Sequence, residues 1–522
     1  MTRELRAAFL VAFAALWVAG ASIVRADEPP AAQDREAAEI DAAMTARIDE
    51  LLSARWAQAG ITPAAQSDDA ELLRRLYLDL TGTIPPVADV QAFLDDAAPD
   101  KRRRLVDDLL ASASHVTHLA DVWRDLMLPR KFDPQQAAGV IGLQNWLRRQ
   151  FADNRRYDRI VADLLVATGG DESGPALFYT AVGLKPEELG TSTARIFLGI
   201  RLDCAQCHNH PFDRWTQEDF WGYAAFFAQL QQRSGNASDM RLVDVDGGEV
   251  KLPESETIVP TRYPGGVVVP PRERGTRRQQ LAIWMVSRDN PYLAPAAVNL
   301  VWAELFGRGL VEPLDDFGPH NPPSHPQLMD ALAEWFVSTG YDLRRLYRVL
   351  ANSEAYQLSS RIAGGVDPAP ELFARMAVKT MSAEQVYDSL SQVGLRQAAE
   401  GQDRLADPRR QAFLVKMLTQ TRTATDFEWG VPQALTLMNG AEMVALTTSA
   451  EGGLLAALEA PFLDNTQRVE MAFLGSLARR PTDAERSQFV EYLQTGPAAE
   501  RQRALGDIVW ALVNSAEFML NH

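Results

Sequence analysis

The 522-residue chain is acidic, with a formal charge of −17 at pH 7, 46% hydrophobic residues and 23% charged residues. That balance is ordinary for a globular protein, allows two to four domains by length, and argues against nucleic acid or an anionic membrane surface as the partner.

Residues 1–26 read as an export signal: Arg3 and Arg6 precede the apolar run Ala7 to Val24, and Val24-Arg25-Ala26 places cleavage after Ala26. Losing the three arginines and one glutamate of that segment takes the formal charge from −17 to −19. The alternative is a retained anchor, since an apolar run of that length just spans a bilayer. The expectation is therefore an exported protein of the periplasm or cell envelope, with no membrane span once the signal is cleaved.

After a short linker at 27–34, helical periodicity dominates. Ala37 to Trp56 is a first helix. Ser67-Asp68-Asp69 signals the amino end of Glu71 to Leu80, whose Leu72, Leu73, Leu76, Tyr77 and Leu80 form a stripe ended by Gly82 and Pro85-Pro86. Val87 to Leu94, Pro99 to Ala111, His115 to Leu128, Val140 to Phe151 and Tyr157 to Ala167 follow, then a loop at 168–186 and a helix from Glu187 to Ile200. Trp215 to Phe227 is a further helix with aromatics on most sides, which fits either hydrophobic core or the wall of a porphyrin pocket. Residues 231–275 change character: Leu242 to Val245 and Gly265 to Val269 are β-like, and Arg272 to Arg278 is a basic run. Helices resume at Gln279 to Ser287 and Pro295 to Phe306. The Gly/Pro-rich loop 307–326 holds Asp315, Asp316, His320 and His325, and long irregular loops of this kind tend to be functional, although turn and cap formation is the plainer role. Gln327 to Ser338, Leu343 to Ala351, Ser382 to Val393, Gln433 to Met438, Asn465 to Ala478, Asp483 to Gln494 and Glu500 to Glu517 complete the helices, with exposed loops at 360–372 and 396–408. The expected fold is mainly α: a helical domain over 35–230, a small β-containing insert over 231–275 and a second helical domain over 276–520.

The only two cysteines lie together in Cys204-Ala205-Gln206-Cys207-His208. C-x-x-C-H is the attachment pattern of c-type haem: two thiols on one turn reach two vinyl groups, and the adjacent imidazole reaches the iron. The pattern runs on as Asn209-His210-Pro211-Phe212-Asp213.

Two regions resemble a known pair of families. Arg195-Ile196-Phe197-Leu198-Gly199-Ile200-Arg201-Leu202-Asp203, the motif through Phe212 and the aromatic helix beyond it are similar to domain of unknown function 1549, the planctomycete cytochrome-c-associated family. Arg75-Leu76-Tyr77-Leu78-Asp79-Leu80-Thr81-Gly82 with Pro85-Pro86 matches its start, and His118 with Trp123-Arg124 a pattern of its shorter members. Asn299-Leu300-Val301-Trp302, Phe306 to Val311, Asp315-Asp316-Phe317-Gly318, His320 to Pro326, Met438-Asn439-Gly440 and Trp510 to Phe518 resemble domain of unknown function 1553. The resemblance implies association with cytochrome c domains and no settled activity. This chain has no second C-x-x-C-H, so any haem belongs on Cys204, Cys207 and His208.

The leading expectation is an exported, covalently attached haem c protein acting in redox or electron transfer, with an electron-transfer or exported protein as partner. His118, His320, His325 or Met127 would supply a sixth ligand; His210 stands too close to His208 to reach the opposite face. The alternative is a zinc or iron site without porphyrin, drawing on Cys204, Cys207, His208 and His210 with His118, His320 or His325, in an exported enzyme or a scaffold of carbohydrate-related type. A disulfide between the cysteines is a third reading, since export permits it. A pair of adjacent carboxylates at Asp315 and Asp316 also admits acid–base work or Ca²⁺ binding. No residue is assigned as catalytic: the chain has no nucleophile elbow, phosphate loop, zinc-protease helix or dinucleotide fingerprint.

Overall fold

The structure, a computed structural model, describes residues 32–128, 137–170, 174–234, 240–269, 275–362, 367–394, 407–417, 425, 430–448, 453–495 and 500–522. The export signal at 1–26, most of the linker, Arg272 to Arg274 of the basic run and 396–406 of the exposed loop lie outside the described residues. Two compact units result, Met1–Ala43 and Met44–His522, and the packing that follows is internal to the second.

The fold is mainly α. Its hub is the helix Asp69–Thr81. The Asp68 carboxylate accepts the Glu71 amide at 2.8 Å, and Gly82 ends the helix at φ 72°, in the left-handed region that glycine adopts without strain. Leu72, Leu76 and Leu80 enter the main core, Leu78 a second cluster and Leu73 a third. Each such side chain, fully removed from water, contributes about 2 kcal/mol. Arg74 and Arg75 on the same helix are buried because each finds acceptors far along the chain. Arg74 donates to the Phe518 carbonyl at 2.7 Å. Arg75 donates to the Tyr356 and Leu358 carbonyls at 2.6 and 2.9 Å and to the Glu71 carboxylate at 2.8 Å.

Around this hub the first half adds helices Val87–Asp95, Lys101–Ala111, Ala113–Met127, Ala137–Ala152, Tyr157–Leu165, Ala176–Val182 and Pro186–Thr193. The helix Ala176–Val182 falls within the expected loop at 168–186; at seven residues it is too short for its periodicity to stand out. Among its described residues the insert holds three antiparallel two-stranded pairs: Leu230–Ser234 with Met240–Asp244, Val250–Lys251 with Ile258–Val259, and Arg262–Tyr263 with Val267–Val268. Helices Arg277–Met285, Leu293–Phe306, Pro326–Ser338 and Leu343–Ala351 follow, then Ala383–Val393 and a run of short helices ending at Ala516–Met519.

The main core draws on both halves, from Met44 to Met376, and the second cluster joins Leu78 and Ile84 to residues between Met381 and Met519. Strand Lys379–Thr380 pairs with Leu520–Asn521, which brings the carboxyl end of the chain back onto the hub helix. Among the described residues no helix is long and apolar enough to cross a membrane.

Candidate functional site

Two segments about a hundred residues apart are clasped together at the cysteine motif. The helix Pro186–Thr193 continues as a π-turn, Ala194–Leu198, and stops at Gly199 with φ 66°. There the Gly199 carbonyl accepts the Phe317 amide at 2.9 Å, and the Phe317 ring lies so close that a Cβ on Gly199 would meet it at 2.8 Å. Asp315 is gripped by two arginines from the cysteine side: Arg195 Nε at 2.6 Å from Oδ2 and Arg201 Nε at 2.9 Å from Oδ1. Burial pushes the Asp315 carboxyl up, but the Arg201 and Arg195 guanidiniums outweigh it and hold the group below the usual carboxylate range. Asp315 is therefore the ionised half of a structural clasp.

The motif itself forms a short 3₁₀ turn, Asp203–Ala205, continued as a turn through Cys207. Ala205 is its buried plug, and both cysteines are exposed free thiols. The turn is tied to the helix behind it: Trp221 Nε1 donates to the Gln206 carbonyl at 3.0 Å, and Gln217 Nε2 to the Cys207 carbonyl at 3.0 Å. His208 is exposed, and its Nδ1 lies 2.8 Å from the Asn209 carbonyl. A carbonyl only accepts, so Nδ1 carries the proton and the lone pair sits on Nε2. His210 is the reverse. Its Nδ1 accepts the Phe212 and Asp213 amides at 3.2 and 2.9 Å, so its lone pair closes the loop.

His320 reaches this loop from the other segment. Its Nε2 stands 3.3 Å from Asp316 Oδ1, its Nδ1 3.7 Å from Asp213 Oδ2, and its ring centroid 6.3 Å from that of His210. The other predicted ligands are elsewhere. His118 packs beneath Gly82 with Nε2 3.8 Å from Glu304 Oε1, and burial lowers its pKa. His325 begins the helix Pro326–Ser338 without a side-chain cap bond; it leans on Phe373, and burial pushes its pKa down to about 4. Met127 is core. Among the described residues no three of His, Cys, Asp and Glu gather as a metal-holding set.

The aromatic helix resolves toward core. It spans Gln217–Ala224 behind a Thr216–Asp219 capping box, and Trp215, Phe220, Tyr223, Phe226 and Phe227 are all buried. Phe226 stacks on Tyr263 and Tyr263 on Trp284, with centroids 5.2 and 4.7 Å apart. What lies open beside the motif is instead a polar cleft of about 570 Å³ whose lining includes Asn209. Phe212, next in the loop, is 82% exposed. The sequence marks Asp315 without its arginine partners and Asp213 only as the end of the motif's continuation, and gives no sign of Arg214; the two segments meet only in the fold.

Residues 47–232 match the family model described as PSCyt2, a protein of unknown function (DUF1549), and residues 277–426 match PSD1, a protein of unknown function (DUF1553). No curated protein and no solved structure matches the chain.

Proposed function

We propose that this chain, whose two halves carry the DUF1549 and DUF1553 domains, is an exported c-type haem protein that transfers electrons, with the haem on Cys204 and Cys207 and His208 as its proximal ligand. The observation that carries this reading is the state of the motif turn. Two free thiols three residues apart face solvent, and His208 holds its proton on Nδ1 against the Asn209 carbonyl, leaving Nε2 as the ligand atom. The Trp221 and Gln217 bonds to the turn fix its backbone, so the thiols and the imidazole are presented together. Attachment needs no oxidant: each S–H adds across a vinyl group, the sulfur to carbon and the hydrogen to its neighbour. Bound there, the group would supply one-electron chemistry at iron. The exposed Phe212 ring offers apolar cover at the same loop.

The test is a pyridine haemochrome spectrum with intact mass, on protein exported in a host that matures c-type cytochromes. A c-type α-band and a mass raised by one haem are expected. An unmodified mass without a Soret band would overturn the reading, and metal analysis with thiol titration of that sample would then decide between a zinc or iron site and a disulfide.

A further inference from the structure

We propose that the cleft beside the motif turn is a carboxylate-binding site anchored by Arg214, and that its ligand is the carboxylate edge of the porphyrin; the second clause rests on the haem reading. Arg214 is exposed, yet it is held. Its guanidinium lies 4.7 Å from the Trp215 ring centroid, and its Nη2 donates to the Tyr292 hydroxyl at 3.0 Å. Among the described residues no carboxylate pairs with it, in a chain with 69 acidic and 52 basic side chains. A planar guanidinium already stacked and tethered loses little freedom on taking a carboxylate through its remaining donors.

The acids of the cleft wall are already engaged by neighbours within that wall, Asp219 also standing 3.6 Å from Arg262 Nη1. Asp219 Oδ2 accepts the Thr216 amide and hydroxyl at 2.9 and 2.8 Å, and Glu218 accepts Arg262 Nη2 at 3.2 Å. Arg262, also in the wall, keeps its Nε buried without an acceptor. The cleft is joined to the motif by two residues. Asn209 follows His208 and accepts the Gln217 amide at 2.9 Å, and Gln217 donates in turn to the Cys207 carbonyl. Gly265 and Gly266, which also line the cleft, leave open space where a Cβ would stand. The volume, about 570 Å³, suits a small organic ligand.

A carboxylate here has two sources, the bound porphyrin or a free acid, and two arms separate them. In the first, wild type, Arg214→Gln, Arg214→Lys, Tyr292→Phe and Arg47→Gln are exported in a host that matures c-type cytochromes, checked for haem by intact mass, and titrated by spectroelectrochemistry. A cation at the carboxylate favours the electron-rich state, so the potential should fall in R214Q, hold in R214K and fall less in Y292F. It should stay at the wild-type value in R47Q, the same charge loss outside the cleft. If R214Q does not fold, the Y292F shift carries the test. In the second arm the C204A/C207A protein is titrated with glucuronate by calorimetry. Binding that R214Q abolishes, without a potential shift, would keep the site and make its ligand a free acid. Haem-loaded protein with equal potentials throughout and no glucuronate binding would overturn the proposal and leave the haem reading standing. Wild type that takes no haem, with a C204A/C207A protein that binds no glucuronate, would remove both.

Discussion

Gly199 and the motif residues make separable claims about single positions. Gly199 holds φ 66°, and an added Cβ would stand 2.8 Å from the Phe317 ring, which is itself fixed by its amide on the Gly199 carbonyl. Left-handed backbone and a clash with an aromatic edge add, so Gly199→Ala should lose about 2 kcal/mol in a urea titration. A loss below about 0.5 kcal/mol, the range of neutral surface changes, would mean that the clasp between the two segments is loose. The motif residues should fail in different ways. Cys204→Ser or Cys207→Ser leaves one thioether, and the pyridine haemochrome α-band should shift accordingly. His208→Ala keeps both thioethers, so the mass should still include haem while the Soret band changes with the lost ligand. Identical spectra in wild type and H208A would remove His208 from the coordination sphere. The thiols and the imidazole were legible in the sequence because spacing alone defines them. Arg214 was not: a lone arginine in an acidic chain reads as solvated surface until the Trp215 ring and the Tyr292 hydroxyl are seen to hold it.

At the scale of the element, the helices show where periodicity informs and where it stops. The Asp69–Thr81 helix was legible at both ends because Asp68 and Gly82 are chemical start and stop signals. The Trp215–Phe227 stretch was legible as a helix, while its partners Tyr263 and Trp284 lie in the insert and beyond it, so whether its rings face core or ligand depended on the fold. The helix Leu293–Phe306 carries a further consequence. Glu304 lies on it, with Tyr347 donating to Oε2, while Oε1 is buried without a hydrogen bond, 3.8 Å from His118 Nε2. Burial, which the Tyr347 bond only partly offsets, pushes its pKa up to about 7. The folded state therefore holds a proton on Glu304 across a range where the unfolded chain has released it, and this group's contribution to stability falls as pH rises from about 4.5 to about 7. His115 and His325, both pushed down to about 4 by burial, act the other way: their contribution is lost as pH falls from about 6.5 toward 4. Glu304→Gln removes only the first effect. Relative to wild type, E304Q should gain roughly 3 kcal/mol between pH 5 and pH 8, read as the difference in urea midpoints multiplied by the slope. Parallel pH profiles for the two proteins would show that Glu304 is ionised in the fold.

At the scale of the whole molecule, the two family halves are not packed as two separate cores. Residues from Met44 to Met376 share one cluster, and Leu78 and Ile84 of the first half sit in a second with residues from the carboxyl end. Local patterns cannot reveal this, because Arg75 and Leu358, or Arg74 and Phe518, are joined only by the closed chain. The candidate site obeys the same rule. The cysteine turn and the 307–326 loop were each legible, and their union through Asp315 was not. Arg75 tests the consequence. It is buried against Glu71 and donates to the Tyr356 and Leu358 carbonyls. Arg75→Met would leave Glu71 as a buried carboxylate whose remaining donors are the Ser359 hydroxyl and the Ser360 amide, and would take the Arg75 donor from the Tyr356, Leu358 and His522 carbonyls in the second half. Breaking one side of a buried pair costs about 3–5 kcal/mol. If the halves cohere through this helix, amide exchange should quicken in Asp69–Thr81, at Tyr356 to Leu358 and in the helix Arg501–Val513 of the second cluster. Quickening confined to residues 44–230 would mean that each half closes its own core, and that the shared clusters contribute little to holding the cysteine turn against its distant loop.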